Sequence, residues 1–264
     1  MAGLARKALV FLLTVILVVD LPIIVLSFFA DDVLLSADFY SEEFEKVGLY
    51  GFLGDKFRET LFSQVDLPGI EEVVTDAWVR EQIDANLEGF VAYLRVEEER
   101  YVPTLYMAEI KAGLAEKYPE LPDSGLPDEY EIEEGIELPN FARAGAAGVA
   151  RAKAASVVLA VTVGALLFIV YEDKKKFLPK VGRKVAGSGL STLLMVGLVY
   201  WKVPDIAASL PEMIPQDAFQ VILRDIVLRL GYYGGIVFAV GLVMGLTGLG
   251  LRKVIKGKGP FSGQ

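Results

Sequence analysis

The sequence predicts an all-α integral membrane protein with four transmembrane helices and a helical extracytoplasmic domain between spans 1 and 2. Three observations carry this. The chain of 264 residues is 53 % hydrophobic with a positive mean hydropathy, and its apolar residues gather in four long stretches. Charge is segregated: residues 31–140 hold 28 Asp and Glu against 8 Lys and Arg, while the rest hold 7 against 18. Short basic segments are retained in the cytoplasm, whereas a long external domain is free to be acidic. Between the apolar stretches, hydrophobic residues recur at three- and four-residue steps, the period of amphipathic helices.

Residues 1–30 comprise a cytoplasmic N-terminus and the first span. Residues 8–30 read ALVFLLTVILVVDLPIIVLSFFA, with Asp20 as the one ionisable side chain. As a helix they cover roughly 35 Å, against about 30 Å of hydrocarbon. Arg6 and Lys7 precede the stretch and Asp31 and Asp32 follow it, so the N-terminus is expected inside. A cleavable leader would want a small residue where Phe28 stands, so a retained anchor is expected.

Residues 31–140 form the acidic extracytoplasmic domain. Ser36 or Asp38 can cap a short helix through Val47, which Gly48 and Gly51 interrupt, and a second covers residues 52–62. Pro68-Gly69 marks a break. The clearest helix is residues 76–95, where Val79, Ile83, Leu87, Phe90 and Leu94 share a side and Arg80, Glu81, Asp84 and Glu88 turn away. Trp78 lies beside that stripe and is expected in the core. Pro103 argues against a central strand in residues 100–107, and another helix is expected over 108–118. Residues 119–139 carry eight carboxylates and no base, among them Glu129, Glu131, Glu133, Glu134 and Glu137. They lack the alternating Asp/Asn spacing of a calcium loop, so a solvated acidic loop and no metal are expected.

Residues 141–171 read as a long second span. Gly148, Ala152, Ser156, Ala160 and Gly164 repeat every four residues, a spacing that lets a second helix approach closely in lipid. Residues 172–184 are expected to be a basic cytoplasmic loop, with Lys174, Lys175, Lys176, Lys180, Arg183 and Lys184. Attraction of anionic headgroups there is an expected side effect. Residues 185–202 form the third span, ending at Tyr200 and Trp201 in the outer interface. Residues 203–230 are an external loop with an amphipathic helix from Gln216, and residues 231–264 hold the fourth span and a basic tail. Gly241, Gly245 and Gly248 give that span a second close-packing seam.

Asp20 is the candidate functional side chain, because a carboxyl group in hydrocarbon is costly unless it meets protein or water. Pro22 frees the carbonyl of Val18 beside it. Thr162, Ser191 and Thr192 come to similar depth and are the expected partners. The site reads either as a polar clasp between spans or as a proton or cation relay.

Catalysis finds little support. The chain has no Cys and no His, which excludes thiol nucleophiles, imidazole chemistry and Cys/His metal sites. One membrane aspartate cannot form an aspartyl-protease dyad. Ser188 and Ser191 have no basic partner at their depth. An acidic domain does not suit nucleic acid, and no cofactor is implied.

The plan of one span, a large external segment, a two-span hairpin, a short external segment and a final span resembles the layout of claudins, connexins and tetraspanins, without their cysteine motifs. Residues 76–95 (DAWVREQIDANLEGFVAYLR), with Pro103-Thr104-Leu105 and Ile110-Lys111, are similar to external segments of an uncharacterised family of prokaryotic four-span membrane proteins. The resemblance implies no established activity, and the placing of Lys and Arg at the span ends predicts a multi-pass protein of the cytoplasmic membrane with both termini inside. The expected role is non-enzymatic: a homo-oligomeric structural or assembly protein, with membrane lipids and an extracytoplasmic protein as partners. A cation channel is the alternative, and an external ligand sensor the third.

Overall fold

The computed structural model describes residues 2–64, 73–95, 101–119, 128–131, 140–209 and 215–257. Backbone contacts divide the chain into two units, Met1–Leu34 with Gly148–Gln264, and Leu35–Ala147.

Among its described residues the first unit holds four helices long and apolar enough to cross a bilayer. Helix α1 (Ala2–Phe29) runs through Pro22 and passes into a π-helical turn, Ala30–Leu34. Helix α6 (Asn140–Val170) has 31 residues, matching the long second span. Helix α7 (Lys174–Ala208) and helix α8 (Gln216–Gly257) exceed the expected spans at both ends. The basic run is therefore no loop: Lys174 to Lys184 are the first turns of α7. Charge ends a hydropathy window, but Lys and Arg are good helix formers, so the backbone continues into water. The turn between α6 and α7 is only residues 171–173, and the Lys174 ammonium reaches back to cap the carbonyls of Phe168 and Ile169 at the end of α6. In the stretch 203–230 the amphipathic helix begins at Gln216 as expected, but the described ends of the stretch belong to long helices. Its start completes α7, and its amphipathic half is continuous with the fourth span as the single helix α8 of 42 residues.

Helices α7 and α8 pack backbone to backbone. A Cβ built on Gly182 would fall 2.5 Å from the Gly245 nitrogen, and one on Gly241 would fall 2.6 Å from the Ala186 Cα. A Cβ on Gly248 would meet Pro179 Cγ at 2.6 Å, and one on Gly234 would meet Thr192 Cγ2 at 2.9 Å. The two helices thus run antiparallel in one register, with glycines seven apart on each: Gly182 and Gly189, against Gly234, Gly241 and Gly248. A seven-residue repeat keeps one narrow seam facing the partner along its length. In lipid there is no hydrophobic gain in pairing helices, so this van der Waals contact carries the association.

Elsewhere in this unit Leu13, Leu17, Val163, Leu167, Phe177, Val181 and Val185 form a buried cluster. Val196, Val203 and Val227 form another between the far ends of α7 and α8.

The second unit begins with helix α2 (Ala37–Lys46), capped by Ser36 Oγ, which accepts from the Phe39 amide at 3.2 Å. Gly48, at φ 70°, turns the chain into helix α3 (Leu49–Gln64), longer than the expected 52–62. Pro68 and Gly69 lie outside the described residues. Helix α4 (Asp76–Leu94) is capped by Thr75 and buries Trp78, Val79, Gln82, Val91 and Tyr93. The buried side is rotated from the expected stripe, since Ile83, Leu87, Phe90 and Leu94 are only half-buried. Helix α5 (Ala108–Lys117) supplies Ile110 and Leu114 to a core with Val74, Trp78, Val79 and Met107.

A short strand, β1 (Thr104–Tyr106), pairs antiparallel with β2 (Glu129–Glu131), with Leu105 opposite Tyr130. Sequence reading expects irregular chain at the first and a solvated loop at the second. Pro103 sits just before β1 and costs the ladder nothing, and Glu129 and Glu131 remain exposed within β2. Glu133, Glu134 and Glu137 lie outside the described residues.

Candidate functional site

Asp20 is 3 % exposed, held between α1 and α6. Its hydrogen-bond partner is Ser156, and its Oδ2 is buried without a partner among the described residues. The expected partners do not supply the contact. Thr162 faces outward, Ser191 donates to the carbonyl of Gly187 at 3.0 Å, and Thr192 donates to that of Ser188 at 3.2 Å. Depth counted along the chain carries no information on which helix faces which. A serine or threonine whose hydroxyl folds back on its own helix is already satisfied.

The contact with Ser156 is one rung of an antiparallel register between α1 and α6. At the basic end, Arg6 Nε donates to the Val170 carbonyl at 2.6 Å and Nη1 to Glu172 Oε1 at 2.7 Å. At the other end, Lys153 Nζ lies 2.6 Å from Asp31 Oδ2 and 3.5 Å from Asp32 Oδ1, with the Phe28 ring centroid 4.3 Å away. Asp32 Oδ2 also accepts from the Tyr233 hydroxyl of α8 at 2.6 Å. Consecutive helical residues point roughly 100° apart, so adjacent carboxylates can serve two neighbours. The π turn carries both, a geometry frequent at functional positions.

Sequence reading missed this clasp. The signal was present: Lys153 stands just before an apolar run and Asp31-Asp32 just after another, opposite charges at the same edge of a bilayer.

The small-residue repeat on α6 is divided in its uses. Ser156 is consumed by Asp20, and Ala160 packs against the Leu13–Leu167 cluster. Ala152 is half-buried, whereas a Cβ on Gly148 or Gly164 would meet nothing within 4 Å. On α8, Gly241 and Gly248 lie in the seam with α7, while a Cβ on Gly245 would point into open space. The partner glycines Gly182 and Gly189 were not singled out from sequence, because they sit in a stretch broken up by charge and serine.

In the second unit, α2, α3 and α4 meet around Asp84. Ser41 Oγ donates to Asp84 Oδ1 at 2.8 Å, and the Tyr50 hydroxyl donates to the same oxygen. The Arg80 guanidinium stacks 4.9 Å above the Tyr50 ring and pairs with Glu45 at 2.7 Å. Burial, with the hydrogen bond to Asp84 next, pushes the Tyr50 phenol up to about 12, and Arg80 holds Glu45 below the usual carboxylate range.

Beside this, Gln82 and Asn86, one turn apart on α4, read the backbone of β1. Tyr106 N donates to Gln82 Oε1 at 2.7 Å, Thr104 N to Asn86 Oδ1 at 2.9 Å, and Asn86 Nδ2 to the Thr104 carbonyl at 2.8 Å. These groups tie elements together. Among the described residues no set of three carboxylates is placed to hold a metal ion. Comparison with protein-family models, with curated proteins and with solved structures finds no match for this chain.

Proposed function

We propose that this chain is a non-enzymatic, homo-oligomeric membrane protein that displays an acidic helical domain on the outer side of the cytoplasmic membrane for a protein partner. The observation that carries the reading is the division of labour along the chain. Residues 35–147 have a core of their own around Trp78 and Ile110 and hold most of the acid, while the four spans form a separate unit. The bias of Lys and Arg toward one end of the spans supports an inside location for both termini. The open positions Gly148 and Gly164 support α6 as the oligomer contact. Protease added to intact cells is expected to remove the acidic domain and spare residues 171–184. The reverse pattern overturns the orientation. Native mass measurement of a Gly148→Leu/Gly164→Leu variant is expected to show a smaller assembly, and an unchanged one removes the oligomer contact.

A cation or proton path through Asp20 is the second reading, favoured by a buried carboxylate oxygen with no partner among the described residues. Flux in proteoliposomes that Asp20→Asn abolishes would establish it, and absence of any flux in the unmodified protein removes it.

A further inference from the structure

Between α1 and the first turns of α7 lies a groove of about 570 Å³, a volume ordinary for a ligand site. Its α1 wall runs from Val10 through Phe11 and Val15 to Val19 and is apolar but for Thr14, whose hydroxyl donates to the Val10 carbonyl at 2.7 Å, and Val181 closes it from α7. Phe11 and Val19 are 71 % and 58 % exposed, so the groove opens sideways toward the bilayer.

Four cations line the groove: Lys7, Lys180, Arg183 and Lys184. No acidic side chain lines it, and none of the four forms an ion pair among the described residues. Their neighbours behave differently. Arg6 pairs with Glu172 at 2.7 Å and Lys176 with Asp173 at 2.8 Å, in the adjoining cavity that Lys7 and Lys180 also border. The local acid is therefore already used, and the groove keeps its positive charge. Lys180, Arg183 and Lys184 stand three and four residues apart, on one side of α7, where like charges repel unless an anion joins them.

We infer that this groove binds one anionic phospholipid, with Lys7, Lys180, Arg183 and Lys184 around its phosphate and an acyl chain along the valine wall of α1. Length supports the fit. From Lys7 to Val19 is about 18 Å of helix, against about 15 Å for one leaflet of hydrocarbon. A soluble phosphate would leave the apolar wall bare. A second copy of the chain would have to bring free carboxylates to the same end, where Glu172 and Asp173 are engaged. The inference needs only that α1 and α7 span a membrane, and it stands whichever side faces the cytoplasm.

The test uses the delipidated full chain in neutral detergent, titrated with phosphatidylglycerol or phosphatidylcholine and read by native mass spectrometry. One phosphatidylglycerol is expected to be retained in preference to phosphatidylcholine by at least about tenfold, as several basic groups at a headgroup imply. The Lys180→Gln/Arg183→Gln/Lys184→Gln variant is expected to lose the preference. Val15→Trp, which keeps every charge and fills the wall, is expected to lose retention of the lipid itself. Lys7→Gln gives a second charge variant remote from the α7–α8 seam if the triple variant does not fold. Equal retention of the two lipids overturns the proposal. So does retention unchanged in Val15→Trp, which would mean surface attraction alone, or displacement of the lipid by free glycerol phosphate.

Discussion

A Cβ placed on Gly189 of α7 would lie 2.6 Å from the Cα of Phe238 on α8. Only hydrogen fits at such a crossing, and backbone rather than a flexible side chain would have to yield. Gly189→Leu and Gly241→Leu should each force the helices apart at a cost of about 3 kcal/mol or more, an overpacking that the seam cannot relieve. Gly245→Ala, whose added methyl meets open space, should be neutral or stabilising by about 0.5–1 kcal/mol. Thermal unfolding in detergent separates the two groups.

The Lys153 ammonium and the Asp31 carboxylate are each about three-quarters buried and 2.6 Å apart. Lys153→Ala should cost about 1.5–3 kcal/mol, the worth of a hydrogen bond to a charged group, and Tyr233→Phe about 1 kcal/mol. A double-mutant cycle of Lys153→Ala with Asp31→Ala checks this. The two losses should add to clearly more than the loss in the double variant, since both remove one interaction.

Asp20 separates a structural from a functional reading. Its Oδ2 is buried without a partner among the described residues, and such an atom costs about 1–3 kcal/mol. Asp20→Leu should therefore raise the unfolding temperature, with Ser156→Ala nearly silent once Asp20 is gone. A strong loss of stability in Asp20→Leu would show that the carboxyl group holds α1 and α6 together.

In the acidic unit, Asn86→Ala strips three polar contacts from β1 and the chain leading to it, including that of the Tyr101 hydroxyl at 3.0 Å. Hydrogen exchange should then quicken at the Thr104 and Tyr106 amides, with about 2–3 kcal/mol lost from that unit. Asn86→Ala that left exchange unaltered would refute the zipper formed with Gln82.

Tyr50 gives a pH signature. Its folded value, about 12, lies above the ordinary tyrosine value of 10, so the folded state holds the proton longer. The stability contributed by the neutral phenol is fully present below pH 10, falls as pH rises from 10 to about 12, and changes no further above that. Tyr50→Phe should be less stable near neutral pH, having lost the bond to Asp84, and should show a shallower decline across the alkaline window. Unfolding curves of both proteins at matched pH test it.

Several features were legible in the chain because their causes are local. A bilayer demands about twenty apolar residues in a row, and residues 8–30 and 154–171 meet that demand in plain view. Ser36 caps α2 because its oxygen needs only the amide three residues on, and Trp78 is buried because a large indole beside an apolar stripe has nowhere better to go. The ends of α7 and α8 were misread for the opposite reason: hydropathy reports where hydrocarbon stops, not where helical hydrogen bonding stops.

The candidate site was legible only by half. Sequence singled out Asp20, since a lone carboxyl group in an apolar run is conspicuous wherever the helix sits, but it could not choose Ser156 over Thr162, Ser191 and Thr192. That choice depends on the rotation of α6 about its axis, which the sum of weak contacts along α1 decides. The same holds for Gly182 and Gly189, ordinary residues until α8 presents Gly241 and Gly234 to them. Sequence by itself determined four apolar stretches long enough to span a bilayer, the charges that flank them and the acidic segment between the first two, because water, hydrocarbon and charge act on each residue where it stands. Tertiary structure alone decided the glycine seam, the clasp of Lys153 on Asp31 and Asp32, and the groove at Lys180, because each exists only where residues far apart in the chain share one register.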